Sequence, residues 1–314
     1  MSEELPQVDQ ETRARFTADG VACLRGILPP SSVAALSQAV DNLASRRGTD
    51  EFSGMYASAD IKAYEMAEAA RTGRNADSAL AKEQAQLAAK PGVDTAAPME
   101  HWPAVWRRNI VVRVIALDSL LPQIAASILD ATKVNFCGDQ VSIREPLSES
   151  AARFIRNENF LPVGNGEGCS IWICLDSTPE TDSLAFVRGS HLWPDRAGIK
   201  ANARGNVDGE TLLRFATAPG DLVIYNLRTY CAAGGNGSTA RRRALVLHYC
   251  DEDMRFRRRP GIPGSALHPS LKDGGSLDSP DYPVVWPRPY PGFAIATLYE
   301  NAAPAAESTR RGRK

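Results

Sequence analysis

Residues 169–175 read Cys-Ser-Ile-Trp-Ile-Cys-Leu, a short apolar run rich in β-branched and aromatic side chains. It is one of several such runs after Lys133, and Gly, Pro, Asn and Asp residues separate them. The others are Val134–Ile143, Leu184–Val187, Leu212–Thr217, Asp221–Tyr225 and Arg243–Tyr249. Many short strands separated by turn residues are typical of an all-β sandwich or barrel. The sequence therefore predicts a β core over residues 133–250.

The part of the chain before this core has helical patterns. Pro29-Pro30-Ser31-Ser32 would end the preceding segment and cap the N-terminus of a helix. Apolar residues then recur at helical spacing at Val33, Leu36, Val40 and Leu43. Residues 13–28 predict a short helix that runs into a strand. Residues 103–130 predict a helix or helix pair, broken near Pro122.

We expect one domain overall. Residues 1–132 would pack on the core, with an exposed helical insertion at about 57–100 that is rich in Ala, Glu, Lys and Gln. A solvated insertion and a mobile lid are both compatible with that composition. Residues 251–314, rich in Pro, Gly and Arg, would wrap over the core with little regular structure and end in a disordered tail.

Composition excludes some classes of function. The 314 residues carry a formal net charge of −1, so there is no global attraction to nucleic acid or to anionic membranes. No apolar run approaches the roughly 20 residues that span a bilayer, and the acidic N-terminus has no signal-peptide pattern. The six cysteines include no Cys-x-x-Cys pair, which favours reduced thiols in the cytoplasm.

Four segments carry a resemblance to a known family. They are Phe16-Thr-Ala-Asp-Gly-Val with Leu24-Arg-Gly-Ile-Leu, Ser170-Ile-Trp-Ile-Cys-Leu-Asp176, Leu184-Ala-Phe-Val-Arg-Gly-Ser-His191, and Pro219-Gly-Asp-Leu-Val-Ile-Tyr followed by Asn236-Gly-Ser238 and Arg241–Ala244. In order and spacing they resemble the phytanoyl-CoA dioxygenase-like family of Fe(II)- and 2-oxoglutarate-dependent oxygenases, over about residues 13–250. The resemblance implies a mainly β fold with flanking helices around a double-stranded β-helix, also called a jelly-roll or cupin-like core.

The resemblance also implies where the metal ligands should stand. Members hold Fe(II) with two imidazoles and one carboxylate. Aligned on the stretch Asn-Phe-Leu-Pro-Val, the His-x-Asp pair corresponds to Arg156 and Glu158, and the second imidazole to Cys231. Arginine has no free lone pair and stays protonated, so it cannot bind a metal. If the strand is regular, Arg156 and Glu158 share a face and can pair. We therefore expect no Fe(II) site.

The 2-oxoglutarate side of the site is better matched. Counting from Cys231, the acid-binding arginine of the family corresponds to Arg242, which stands between Arg241 and Arg243. An arginine fork suits a carboxylate. The triplet can equally be an exposed charged turn. If Arg242 faces inward, we expect an anionic ligand, which would be a 2-oxo acid, another carboxylate or a phosphate.

Several candidate residues have two interpretations. Cys231 is either a buried filler or a thiol whose pKa Arg156 lowers, and Glu158 is either a salt-bridge partner or a general base. His191 and His248 are structural histidines or members of a rebuilt metal site, and Tyr225 is expected in a pocket wall.

Three functions compete. The first is a metal-independent isomerase, cyclase or lyase that acts on a small anionic or polycyclic metabolite through Glu158, Arg156 and Cys231. The second is an oxygenase with atypical ligands. The third is a small-molecule-binding protein without catalysis. An open apolar pocket with a few polar groups favours the first over the third.

Overall fold

A computed structural model of the chain describes residues 8–45, 99–107, 109–148, 154–194, 207, 209–258 and 271–287. The predicted helical insertion lies outside the described residues except for its last two positions. The final residues, 288–314, where we expect disorder, also lie outside them.

The helical patterns form four helices in the described ranges. They are α1 (Gln10–Asp19), α2 (Pro30–Ser45), α3 (Ile110–Asp118) and α4 (Leu121–Leu129). The predicted break near Pro122 is confirmed, since α3 ends at Asp118 and Pro122 lies in the first turn of α4, where proline needs no hydrogen-bonded N–H. By length and composition alone, Ile110–Leu129 is apolar enough to cross a membrane, but 56% of it is buried inside the protein.

The strands form one large and two small antiparallel sheets, which confirms the mainly β class. The main sheet has the order β1-β8-β5-β10-β3-β12, with β2 also paired to β3, and the small sheets have the orders β7-β6-β9 and β11-β4. The strands are β1 (Val21–Leu24), β2 (Met99–Pro103), β3 (Val134–Arg144), β4 (Val163–Gly164), β5 (Gly168–Cys174), β6 (Ala185–Val187), β7 (Leu212–Leu213), β8 (Leu222–Asn226), β9 (Cys231–Ala232), β10 (Arg242–Asp251), β11 (Arg255–Phe256) and β12 (Val284–Trp286).

The two faces of the main sheet pack against different partners. Alternate side chains of β5 and β10, such as Ile171 and Leu247, pack with the helices in the largest apolar cluster. On the opposite face, Tyr225 and Val223 pack with Phe186 and Cys231 of the β7-β6-β9 sheet. We call the space between these two sheets the barrel interior.

Two details differ from the sequence-based expectations. The segment after Asp251 contributes two short strands, and β12 pairs with β3, so the main sheet extends into the predicted wrap. The buried thiols of Cys137 and Cys250 form a disulfide, whereas we expected reduced thiols. These cysteines are far apart in sequence, and only the adjacent β3 and β10 strands bring them together.

The turn before β8 is held by a carboxylate. Asp221 is 4% exposed and accepts hydrogen bonds from the main-chain N–H groups of Gly26 (2.8 Å) and Ala218 (2.9 Å) and from Arg25 (2.8 Å). Burial alone would raise the pKa of Asp221, but these hydrogen bonds and the nearby Arg25 charge outweigh it and lower the pKa.

Replacement Asp221→Ala should lower the free energy of unfolding by about 2 to 4 kcal/mol, because it leaves two N–H donors without an acceptor. Asp221→Asn should lose less, since one side-chain oxygen remains. The folded pKa is below the unfolded value of about 3.9, so the native advantage is complete above that pH and disappears as the pH falls further. Urea unfolding at several pH values measures this difference. Equal stability of the native and Asp221→Ala proteins at pH 7 would refute it.

Candidate active site

The segment that follows Phe154 lies beside β9 through a pair of main-chain hydrogen bonds. The N–H of Ile155 donates to the Cys231 carbonyl (2.8 Å), and the N–H of Cys231 donates to the Ile155 carbonyl (2.9 Å). Directly opposed residues of an antiparallel pair place their side chains on the same face. Since Cys231 packs with Phe186 and Tyr225, this face is the barrel interior. The predicted neighbours therefore meet, with Ile155 rather than Arg156 opposite the cysteine.

Arg156 lies on the other face of the small sheet. Its side chain is 2% exposed, and Nη2 donates to the main-chain carbonyls of Ser190 (3.0 Å) and Trp193 (3.1 Å). The guanidinium carbon is 4.4 Å from the centre of the Tyr230 ring, a cation–π contact. Tyr230 packs with Phe154 in an apolar cluster separate from that of Cys231. The Arg156 side chain therefore lies on the face away from Cys231, and its assignment to a metal-ligand position stays a prediction. Its predicted catalytic role stays untested, and this placement does not favour it.

Glu158 does not lie on a strand with Arg156. Asn157–Phe160 is a short 3-10 helix, and Arg156 is the residue that precedes its first turn. The N–H of Glu158 donates to the Leu227 carbonyl (3.0 Å), and the side chain is half-buried. The shared strand face that suggested an Arg156–Glu158 pair is therefore absent. A role for Glu158 as a general base stays a prediction.

The interior contains a polar network that the sequence analysis did not assemble. Asn157 Nδ2 donates to Ser170 Oγ (2.8 Å) and to the Tyr225 hydroxyl (3.0 Å), and Ser170 Oγ lies 2.9 Å from His248 Nδ1. Ser170 and His248 are directly opposed on β5 and β10. We call these four residues the Asn157–His248 network. The signal for it in the sequence is one polar residue at an interior position of each of two apolar strands.

Burial keeps the ionisable groups of this region neutral. It lowers the pKa of His248 to about 4 and raises that of Tyr225 far above its ordinary range. It also raises the pKa of Cys231 to about 12. Of the two interpretations of Cys231, the thiol with a lowered pKa is therefore contradicted, and the buried filler fits, because burial raises the pKa and the Arg156 guanidinium is on the opposite face. At neutral pH the imidazole is uncharged and Cys231 is a thiol.

Arg242 faces inward, which resolves the alternatives left by the arginine triplet. It is 8% exposed, and it lines a small cavity together with Trp172 and Phe186. Nη1 donates to the Asp182 and Gly235 carbonyls, and Nη2 donates to the Gly234 carbonyl (3.2 Å). Burial, and then the neighbouring charge of Arg144, lower the pKa of Arg242 to about 10.

The flanking arginines differ from Arg242 in their partners, although Arg243 also lines this cavity. Arg241 pairs with Glu145 (3.0 Å), and Arg243 pairs with Asp176 (2.7 Å) and Asp41 (2.9 Å). Both therefore have carboxylate partners of their own. Arg242 is the member of the triplet whose guanidinium is held by main-chain carbonyls.

The interior residues do not match an iron site of two imidazoles and one carboxylate. The side chain of Ile155 has no donor atom, Asn157 offers a neutral amide, and Cys231 a protonated thiol. Within the described residues, no group of three or more His, Cys, Asp or Glu side chains is arranged to hold a metal ion.

His191 does not supply a missing imidazole. Its Nε2–H donates to the Thr17 carbonyl (3.1 Å) on α1. A Cβ atom on Gly20, which ends α1 with φ 79°, would lie 2.5 Å from His191 Nδ1. The histidine therefore packs α1 against the turn after β6, a structural role outside the barrel interior.

Comparison with known proteins identifies the fold. The family model described as phytanoyl-CoA dioxygenase (PhyH) matches residues 16–244. No curated protein matches. Among solved structures, the chain is similar to the non-heme alpha-ketoglutarate-dependent carbocyclase SnoK from nogalamycin biosynthesis, with 17% identity, a TM-score of 0.64, and coverage of 88% of this chain and 96% of that one.

Two further structures have the same fold. The epimerase SnoN from nogalamycin biosynthesis is 18% identical, with a TM-score of 0.60 and coverage of 88% and 95%. EvdO2 from Micromonospora carbonacea var. aurantiaca, solved with 2-oxoglutarate, is 21% identical, with a TM-score of 0.54 and coverage of 82% and 96%. A family match over most of the β core, together with this topology, shows that the chain belongs to the phytanoyl-CoA dioxygenase family.

Proposed function

We propose that this protein is a metal-independent enzyme of the isomerase, cyclase or lyase type, which acts in the cytoplasm on a small anionic or polycyclic metabolite. The observation that carries the proposal is the set of side chains on the Cys231 face of this segment, which are Ile155 (38% exposed), Asn157 and Cys231 itself. One hydrocarbon, one amide and one protonated thiol are a poor set of donors for Fe(II). Chemistry in this barrel would then depend on the protein's own acid and base groups.

The solved relatives support the reaction class. A carbocyclase closes a ring and an epimerase inverts a carbon centre, and both names belong to enzymes of one biosynthetic route. Ring closure and inversion can each proceed by proton transfer alone when a neighbouring carbonyl makes a C–H group acidic. A chain with this fold, in which the described residues include no group of three metal-binding side chains, fits that simpler version of the chemistry.

Arg242 supports an anionic group on the ligand. The guanidinium has five N–H donors, and the three carbonyl contacts leave Nε and one Nη2 hydrogen for a ligand. A carboxylate takes two parallel hydrogen bonds from such a fork. The carboxylate of 2-oxoglutarate, that of a metabolite, or a phosphate would fit this chemistry.

One observation favours a second function, small-molecule binding without catalysis. The cavity at Arg242 is narrow, and the Asn157–His248 network fills part of the interior with side chains that bind each other. A binding protein needs the anion site alone, whereas an enzyme also needs a reacting group beside the ligand. Turnover or its absence for a ligand that Arg242 binds separates the two.

Anaerobic titration with Fe(II) and 2-oxoglutarate tests the loss of the metal. We expect no metal-to-ligand charge-transfer band and no succinate under oxygen with the native protein, because the interior has no imidazole–carboxylate set. The variant Ile155→His, Asn157→Asp, Cys231→His should acquire the band, since it places three donors on the interior face.

The matched control shifts the first two substitutions by one residue. Arg156→His, Glu158→Asp, Cys231→His should not bind iron, because position 156 faces away from Cys231. Iron binding by the native protein would instead establish an oxygenase with atypical ligands and end the proposal. A band from the control but not from the first variant would show that the interior positions are assigned incorrectly.

Replacement of Arg242 tests the anion site. Arg242→Gln should weaken binding of 2-oxoglutarate, measured by calorimetry without metal, by about tenfold to a hundredfold, the usual effect of losing a charged hydrogen bond. Arg241→Gln, which removes an exposed cation from the same turn, should leave binding unchanged. Thermal melting of both variants verifies the fold, and equal weakening by both would contradict a specific role for Arg242.

Alkylation tests the state of Cys231. With its pKa near 12, only a very small fraction is thiolate at pH 8, so iodoacetamide should leave Cys231 unmodified in the folded protein and modify it fully in urea. Mass spectrometry of digests locates the modified residues. Rapid modification of Cys231 in the folded protein would restore the interpretation of this residue as an activated nucleophile.

A further inference from the structure

The Asn157–His248 network places polar side chains in an otherwise apolar interior. Ser170 is 0% exposed and His248 is 7% exposed, and each is adjacent in its strand to a fully buried aliphatic side chain, Ile171 after Ser170 and Leu247 before His248. A buried polar group is costly unless it is hydrogen-bonded. If these positions only packed the core, apolar residues would stabilise the fold at least as well.

One protonation pattern that satisfies every contact of the network has the proton of His248 on Nδ1. The two amide protons of Asn157 go to Ser170 and Tyr225. Ser170 Oγ can accept a second hydrogen bond from His248 Nδ1–H, which leaves the serine proton for the Tyr225 hydroxyl, with which Ser170 interacts. In this arrangement the lone pair of His248 is on Nε2. That atom has no hydrogen-bond partner within the part of the chain that the structure describes.

Space is available beside this histidine. Gly138 is directly opposite His248 on β3, and it has a φ of +135°. A Cβ atom at Gly138 would meet nothing within 4 Å. Opposed residues share a face of the sheet, so this open space lies on the same face as the imidazole, next to β3 and across β10 from Ser170.

We propose that His248 is the general acid–base residue of this barrel, and that it exchanges a proton through Nε2 with a carbon next to a carbonyl group of the substrate. The inference rests on the proposed metal-independent function and identifies its base and its substrate class. Asn157 and Ser170 are positioning residues, because they hold Nδ1 and thereby determine which nitrogen carries the lone pair.

The proton and electron balance needs no cofactor. Nε2 takes a proton from the substrate carbon, and the C–H electron pair moves into the enolate. Tyr225, which burial keeps protonated, donates a hydrogen bond to the enolate oxygen. Return of the proton to the opposite face of the carbon gives the epimer. Attack of the enolate carbon on a second carbonyl closes a ring, and the new alkoxide takes the proton from the imidazolium.

The experiment begins with the state of the imidazole. Nitrogen-15 NMR of the full chain, labelled at histidine, should show His248 at pH 7 as the neutral Nδ1–H tautomer. Ser170→Ala should change the tautomer population, an effect that a purely structural role of Ser170 would not require. A native Nε2–H tautomer would overturn the proposal, because that nitrogen would then have no lone pair.

A second measurement tests access to Nε2. Diethyl pyrocarbonate acylates neutral imidazole, and it should modify His248 at least about tenfold faster than His191 at pH 6, since the accessible base must have a free nitrogen. His191 is the matched control, because its Nε2 is bonded to Thr17 and its Nδ1 is fully buried. Equal protection of both histidines would overturn the proposal.

The chemistry is tested with 2-oxoglutarate as a small ketone with acidic C–H groups. The test does not depend on Arg242, which is about 20 Å from His248 along β10. In D2O without iron, the native protein should accelerate exchange of the C3 hydrogens, followed by proton NMR. His248→Gln should reduce the acceleration by about a hundredfold or more, whereas His191→Gln should retain it. No acceleration, or equal acceleration by His248→Gln, would overturn the assignment. Iron binding by the native protein would instead overturn the proposed function, so the two failures are distinct.

Discussion

The two hydrogen bonds between Ile155 and Cys231 are the constraint on which the site depends. They dock the segment after Phe154 onto the small sheet and set its register. Since successive side chains of an extended chain point to opposite faces, this register puts Ile155 on the Cys231 face and Arg156 on the other. Asn157, the first residue of the following 3-10 helix, faces inward by its hydrogen bonds to Ser170 and Tyr225. A shift of one residue would exchange the faces of Ile155 and Arg156 and place a guanidinium in the barrel interior.

Because of this register, the side chains on the two faces of the small sheet make different kinds of contact. On the outer face, Arg156 connects the carbonyls of Ser190 and Trp193 and covers the Tyr230 ring, so it stabilises the turn after β6. On the inner face, Asn157 joins Ser170, and through it His248, into one hydrogen-bonded group. The contacts of the arginine are thus those of a group that holds the fold together, and the groups of the inner network are neutral.

Several parts of the fold could be predicted because their signals are local. Turn residues bound the apolar runs that became β5 and β10, and Pro122 marks the start of α4. The family resemblance singled out Arg242 by a count along the chain, but the sequence left its orientation open, since an arginine triplet can equally be an exposed charged turn. The network could not be predicted, since Asn157, Ser170 and His248 come from three separate segments that only the sheet brings together.

The sequence by itself determined the family, the β core and the chemical types at each position, including the lack of a His-x-Asp pair near residue 156. The tertiary structure decided which of those side chains face one another. Chemical type is a property of each residue alone. Orientation depends on pairing between β9 and a segment about 75 residues earlier in the chain. Local propensities carry no information about pairing between segments that far apart. The pair of main-chain hydrogen bonds between Ile155 and Cys231 therefore puts Arg156 on the outer face, away from the Asn157–His248 network.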